Sequence, residues 1–216
     1  MSKNLLAGCT FAILGDSYST FQGYIPEGNA FYYPRPEAVD DVLQVEACWW
    51  HILMSRNNMQ LEINESYSGA TVCTTVREGL PFSSAFTERV RLSLSGEKKL
   101  DYIFVFGATN DSWLNRPIGE VKFADRTEED VKQALPAYCD VIEYLREQHP
   151  EAVIVSVVNT GLNPQIHAGI LCANEHYGAI SVELADIEKQ NGHPSAAGMR
   201  QIADQIEEKL KSYIQP

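Results

Sequence analysis

Four residues of types that together perform acyl transfer are spread along this sequence: Ser17, Gly69, Asn110 and His193. A serine hydroxyl is a weak nucleophile that needs a base within hydrogen-bond reach, and histidine, with an ordinary pKa of about 6.5, is suited to that task. A glycine backbone N–H and an asparagine amide can both donate to the oxyanion of a tetrahedral intermediate. These residue types therefore indicate nucleophilic attack on an acyl carbon.

Each of the four residues comes after an apolar run or a short alternating run that predicts a β-strand. The predicted strands cover residues 11–14, 61–67, 102–106, 153–158 and 179–182. Uniformly apolar runs such as Tyr102–Phe106 are typical of strands covered on both faces, as in a parallel sheet. Ligands of such sheets bind at the carboxyl ends of the strands, so we expect the four residues to meet at that edge.

Between the strands, apolar residues recur at helical spacings of three and four. The predicted helices cover residues 36–58, 84–94, 131–145 and 164–177, and a last helix begins after Ser195. Pro136 should kink its helix or mark its true start, and Thr127 with Asp130 resembles a capping box before it. Strands alternating with helices predict an α/β protein with a five-stranded parallel sheet between two layers of helices. We expect one domain over residues 1–216.

Composition and charge argue against some classes of binding partner. The chain has 216 residues, with 17 Lys and Arg against 29 Asp and Glu, for a net charge of -12. Such a field would repel a phosphate backbone, so we expect no nucleic-acid partner. No apolar stretch approaches the roughly 20 residues of a membrane span. The oligomeric state is left open.

The cysteines argue against structural metal and against a disulfide framework. Five cysteines are present, and no pair has Cys-x-x-Cys spacing, so free thiols in a reducing compartment are expected. Leu6–Cys9 looks like a lipoprotein cleavage box, but the segment before it is too short for a signal peptide. We therefore expect a cytoplasmic protein without a metal or cofactor.

The motifs together resemble those of the SGNH hydrolase superfamily, the GDSL-type esterases and lipases. Gly15–Tyr18 matches the first family block, with Tyr18 where many members have leucine. Gly69 matches the family glycine. Gly107–Asp111 approximates the Gly-x-Asn-Asp block with one extra residue, and His193 is followed by the familiar proline. The resemblance spans nearly the whole chain, in the family's order.

This resemblance implies a flavodoxin-like, three-layer α/β/α sandwich and hydrolysis of carboxylic esters without a cofactor. It assigns Ser17 as the nucleophile and His193 as the general base. The oxyanion donors would be the backbone N–H groups of Ser17 and Gly69 and the side chain of Asn110.

The chain departs from the family three residues before the histidine. The family has aspartate there, whereas this sequence has Gln190. The base histidine needs an acceptor at its other ring nitrogen. We expect the Gln190 amide oxygen, or a backbone carbonyl nearby, to be that acceptor; Asp186 and Glu188 are the alternatives.

An aromatic loop over residues 18–35 follows the nucleophile, and Asp111–Asp125 forms a second loop. We expect Tyr18, Tyr24 and Trp113 to line the substrate pocket, where rings can stack on sugars or hold an apolar acyl group. The alternative is a loop packed on the sheet or on a partner chain. The favoured substrate is an O-acetylated or otherwise acylated carbohydrate. The competing hypothesis is a catalytically silent relative that binds a glycan or a protein partner, which Gln190 favours.

Overall fold

A parallel β-sheet forms the middle layer of the protein. The computed structural model describes residues 6–37, 40–96 and 98–213. Within that part of the chain, the sheet has five strands: β1 (Thr10–Gly15), β2 (Gln60–Ser66), β3 (Tyr102–Phe106), β4 (Val153–Val158) and β5 (Ile180–Glu183). Their order is β2-β1-β3-β4-β5, and every neighbouring pair is parallel. All five carboxyl ends therefore lie at one edge.

Helices connect the strands. They are α1 (Trp49–Asn57), α2 (Phe86–Ser93), α3 (Thr109–Trp113), α4 (Ala134–Gln148), α5 (Pro164–Tyr177) and α6 (Ala196–Tyr213). A small antiparallel hairpin of β6 (Lys189–Gln190) and β7 (His193–Pro194) lies between β5 and α6. None of the helices in the described ranges is long and apolar enough to cross a membrane.

Successive side chains of a strand point to opposite faces of the sheet, so they pack in two separate cores. On one face Phe11, Ile13 and Phe104 pack with buried residues of α1 and α6. On the other face Ala12 and Leu14 pack with buried residues of α2, α4 and α5. Both faces of the sheet are thus covered around β1 and β3, which is why these two central strands are rich in apolar residues. The predicted three-layer α/β/α architecture is confirmed, whereas one domain over the whole chain stays a prediction.

The predicted helix over residues 36–58 is wrong over residues 36–37 and 40–48, whereas residues 38–39 lie outside the described part of the chain. The α-helix begins only at Trp49, after a single 3₁₀ turn over Val45–Ala47. Asp41, before that turn, instead donates its backbone N–H to the Gln190 amide oxygen of β6 at 3.2 Å, and its carboxylate accepts the backbone N–H of Ala196 in α6 at 2.7 Å. Pro136 lies in the first turn of α4 and marks the start of the helix rather than a kink.

Candidate active site

The chain leaves β1 through a tight turn that presents Ser17. Ser17–Ser19 form one 3₁₀ turn, and the carboxylate of Asp16 caps it by accepting the backbone N–H of Tyr18 at 3.0 Å. Gly15 permits the turn because a Cβ atom there would lie 2.5 Å from the Ser66 hydroxyl and 2.7 Å from the Ser19 side chain. Ser17 itself is only 4% exposed.

Three side chains from neighbouring elements hold this turn at Ser19. Trp49 donates its indole N–H to the Ser19 hydroxyl at 3.2 Å, and Trp50 donates to the Ser19 carbonyl at 3.0 Å. Asn64 of β2 donates to the same carbonyl at 2.9 Å. Because buried hydrogen bonds restrict motion, the nucleophile turn is a preorganised element.

The β6–β7 hairpin brings His193 to Ser17. The Nε2 atom of His193 lies 2.9 Å from the Ser17 hydroxyl oxygen, within hydrogen-bond distance. Burial lowers the pKa of His193 to about 4, so the imidazole is neutral at neutral pH. Its Nδ1 lies 3.3 Å from the Asn191 carbonyl oxygen. A carbonyl only accepts, so Nδ1 carries the proton and Nε2 is free to accept the serine proton.

The orienting role expected of the Gln190 side chain is corrected by this geometry. The acceptor at Nδ1 is the backbone carbonyl of Asn191, the second of the options that the sequence leaves open. The Gln190 amide oxygen instead accepts the backbone N–H of Asp41 at 3.2 Å. The Glu188 carboxylate accepts the Ser195 hydroxyl at 2.5 Å. Both side chains are thus engaged by partners other than the imidazole.

The loops after β2 and β3 carry the expected oxyanion donors. Gly69 has a φ of +85°, a left-handed conformation that favours glycine, and within the described ranges its backbone N–H has no hydrogen-bond partner. Asn110, in the first turn of α3, donates one amide hydrogen to the Ala70 carbonyl at 2.9 Å. The adjacent Asp111 carboxylate accepts the backbone N–H groups of Val72 and Cys73 at 2.8 and 3.2 Å, so it joins the two loops.

The three residues expected to line the pocket differ in their exposure and in their contacts. Tyr18 is wrong as a pocket residue, since it is fully buried and donates its hydroxyl to the Gly192 carbonyl at 2.6 Å. Tyr24 is half-exposed and packs on Trp50, with ring centroids 5.7 Å apart. Trp113 is 45% exposed, and its ring centroid lies 5.9 Å from that of His193. The Tyr18 ring also lies against His193, with centroids 5.2 Å apart, but of the two side chains beside His193 only Trp113 is exposed.

Sequence reasoning missed two residues that contact His193. Tyr32 stacks on the imidazole, and Asn191 supplies the carbonyl at Nδ1. Tyr32 is one of several aromatics in its loop, and no local signal distinguishes it from them. The loop is also bonded to the hairpin, since the buried Tyr33 donates its hydroxyl to the Pro194 carbonyl at 2.7 Å.

Comparison with known proteins gives the family. Residues 9–210 match the family model described as GDSL-like Lipase/Acylhydrolase. A GDSL-like lipase structure from Bacteroides ovatus is 36% identical, with a TM-score of 0.87 over 95% of this chain and 99% of that chain. A second, from Bacteroides uniformis, is 37% identical, with a TM-score of 0.88 over 95% and 96%. No curated protein matches the chain.

A more distant structure shares the fold. The acetyl xylan esterase Est2A from the rumen bacterium Butyrivibrio proteoclasticus is 18% identical, with a TM-score of 0.60 over 96% of this chain and 64% of that chain. At that identity the likeness concerns the fold alone. The family match and the two Bacteroides structures decide the classification: this chain belongs to the family of GDSL-like lipases and acylhydrolases.

Proposed function

We propose that this protein hydrolyses carboxylic esters through an acyl-enzyme on Ser17, with His193 as the general base. The observation that carries the proposal is the 2.9 Å contact between His193 Nε2 and the Ser17 hydroxyl oxygen. The family and its lipase relatives support ester hydrolysis as the activity. The assignment of atoms to steps follows from the geometry of the pair.

Acylation begins when the Ser17 oxygen attacks the ester carbonyl carbon and its proton passes to His193 Nε2. The Nδ1–H bond to the Asn191 carbonyl keeps the imidazole in the tautomer that can accept this proton. The resulting imidazolium then returns the proton to the departing alcohol oxygen as the tetrahedral intermediate collapses. A water molecule gives a proton to His193 as its oxygen attacks the acyl carbon. The imidazolium then returns this proton to the Ser17 oxygen as the bond between that oxygen and the acyl carbon breaks and the acid leaves.

The oxyanion of each tetrahedral intermediate would be held by three donors. The Asn110 amide carries two hydrogens, and the bond to the Ala70 carbonyl uses one and fixes the amide plane. The three donors are therefore the second amide hydrogen of Asn110 and the backbone N–H groups of Ser17 and Gly69.

We propose a short acyl group on a carbohydrate as the substrate. The exposed Trp113 beside His193 supports this, because an aromatic face next to a catalytic pair can stack on a sugar ring. The acetyl xylan esterase of the same fold acts, by its name, on an acetylated polysaccharide.

Two measurements test the proposal. Purified protein should release p-nitrophenol from p-nitrophenyl acetate, and Ser17→Ala should abolish this, whereas Ser83→Ala, a change at an exposed serine, should not. A fluorophosphonate probe should label wild type on the peptide that contains Ser17. Labelling of Ser17→Ala at the same extent as wild type, or no hydrolysis of any acyl ester by wild type, contradicts the proposal.

A comparison of two kinds of ester tests the proposed substrate class. Acetylated xylo-oligosaccharides should be deacetylated with a higher kcat/KM than p-nitrophenyl octanoate, and Trp113→Ala should raise KM for the sugar ester more than for p-nitrophenyl acetate. A preference for the octanoyl ester would point to a lipid substrate instead.

A further inference from the structure

Asn191 links the catalytic histidine to an acid on a distant loop. Its backbone carbonyl oxygen lies 3.3 Å from His193 Nδ1, while its side-chain amide donates to Asp40 Oδ1 at 3.2 Å. Asn191 has a φ of +50°, a left-handed conformation that asparagine tolerates but does not favour strongly. The contact with Asp40 therefore helps to hold the turn that aims the carbonyl at Nδ1.

The Asp40 carboxylate is poorly satisfied for a buried acid. It is 7% exposed, and its Oδ2 atom has no hydrogen-bond partner among the described residues. Burying a carboxyl group costs free energy unless it is hydrogen-bonded or paired. The charge does reach the site: burial and then the charge of Asp40 raise the pKa of the Tyr32 hydroxyl, and the Tyr32 ring stacks on His193.

The segment that carries Asp40 is fixed against the hairpin on both sides. The next residue, Asp41, donates its backbone N–H to the Gln190 amide oxygen at 3.2 Å, and its carboxylate accepts the Ala196 N–H at 2.7 Å. Before it, Tyr33 donates to the Pro194 carbonyl at 2.7 Å. These bonds, with that from Asn191, place Asp40 beside the hairpin that carries His193.

We propose that Asp40 is a positioning residue for His193, acting through Asn191, and that it supplies from another loop the negative charge absent at Gln190. The proposal rests on the proposed esterase function. During acylation the imidazole becomes an imidazolium, and a nearby carboxylate stabilises that charge without accepting the proton. The Asn191 carbonyl orients the ring, and Asp40 orients the carbonyl.

The groups around His193 act on its pKa in opposite directions. Burial is the largest cause and lowers it; the Asn191 carbonyl and the Asp40 charge raise it, and the charges of Arg35 and Lys189 lower it. The other contacts of the ring are the hydroxyl of Ser17 and the uncharged rings of Tyr18, Tyr32, Tyr33 and Trp113. Without Asp40, only the Asn191 carbonyl still raises the pKa of His193, so the pKa falls and the imidazole becomes a weaker base.

The test removes the charge and keeps the shape. Asp40→Asn retains an oxygen that can accept the Asn191 amide, while Glu46→Gln, at an exposed acid of the same segment, matches the change in net charge. An NMR titration of the His193 imidazole needs no substrate, so it reports even if the ester activity is absent. We expect the pKa of His193 to fall in Asp40→Asn and to stay at the wild-type value in Glu46→Gln.

Kinetics give the second readout. General-base catalysis as a whole contributes about 10²–10⁴-fold, so losing an indirect contribution should lower kcat for p-nitrophenyl acetate on the order of 10-fold, with KM within about 2-fold. The acid limb of the kcat/KM profile should move to lower pH. An unchanged pKa of His193 together with an unchanged kcat in Asp40→Asn overturns the proposal.

A second variant covers the case in which Asp40→Asn does not fold. Asn191→Gly keeps the carbonyl and the left-handed backbone but removes the amide that Asp40 holds. It should lower kcat with little change in KM, and by a smaller factor than Ser17→Ala. A wild-type kcat in a folded Asn191→Gly protein would show that the link from Asp40 does not serve His193.

Discussion

The imidazole of His193 lies flat against the phenol ring of Tyr32, with ring centroids 3.6 Å apart and planes inclined by 11°. Arg35 lies over the same phenol, its guanidinium carbon 4.8 Å from the ring centroid. A stacked neighbour fixes the plane of the imidazole, and the plane decides whether Nε2 faces the Ser17 hydroxyl. Tyr32 thus contributes to the geometry of the Ser17–His193 pair without a hydrogen bond to His193 Nε2 or to the Ser17 hydroxyl oxygen.

Two substitutions of Tyr32 distinguish the contribution of its stacked ring from that of its hydroxyl. Aromatic pairs contribute about 0.5–1.5 kcal/mol beyond their area burial, which corresponds to at most about 10-fold in rate. We therefore expect Tyr32→Ala to lower kcat about 3- to 10-fold and Tyr32→Phe to stay close to wild type, as measured with p-nitrophenyl acetate. Equal losses in both variants would mean that the hydroxyl, not the stacked ring, matters.

The buried histidine predicts a broad acidic range of activity. Burial lowers the pKa of His193 to about 4, and the neutral imidazole is the active form, so kcat/KM should stay level from neutral pH downward and fall by half only near pH 4. A free histidine would give that midpoint at about 6.5. A midpoint above pH 6 for wild type would contradict this prediction.

The same shift has a consequence for stability. The unfolded chain binds a proton on this histidine at about pH 6.5, whereas the folded protein does so only at about pH 4. Between these values the unfolded state holds more protons, so His193 should destabilise the fold as pH falls through that range. Chemical denaturation of wild type and His193→Gln between pH 7 and 4 should show a weaker pH dependence in the variant.

Asp16 should act on stability in the opposite direction. Burial raises its pKa to about 7, so the folded state retains a proton that the unfolded chain loses near pH 4, and stability declines as pH rises from about 4 to 7. Asp16→Asn keeps the acceptor for the Tyr18 N–H and cannot ionise. Its Tm relative to wild type should therefore increase from pH 5 to pH 8. Asp16→Ala, which loses the cap, should be less stable by about 1 kcal/mol.

Asn110 should separate turnover from binding. Loss of one oxyanion donor costs about 10²–10³-fold in kcat, and we expect that loss in Asn110→Ala with a KM within a few-fold of wild type. The lost bond to the Ala70 carbonyl should also reduce stability by about 1 kcal/mol, read as a lower Tm. A variant with full turnover and a lower Tm would assign Asn110 a structural role only.

Local sequence was sufficient for the sheet and for most helices. The apolar runs at 102–106 and 153–158 match β3 and β4, because strands covered on both faces are predominantly apolar. The same runs predict that the four motif residues meet at one edge of the sheet, since each residue follows a predicted parallel strand. The α5 boundaries agree for a local reason as well, with Asn163 capping the N-terminus and Gly178 ending the helix.

Tertiary structure decided what surrounds the histidine. The acceptor at Nδ1 is a backbone carbonyl, and every residue has one, so no residue type at position 191 could reveal it. The burial of Tyr18, the stacking of Tyr32 and the approach of Asp40 each join loops more than 150 residues apart in sequence. Periodicity and motif spacing describe a segment and its nearest neighbours, whereas these contacts depend on how the loop after β1 folds over the hairpin before α6.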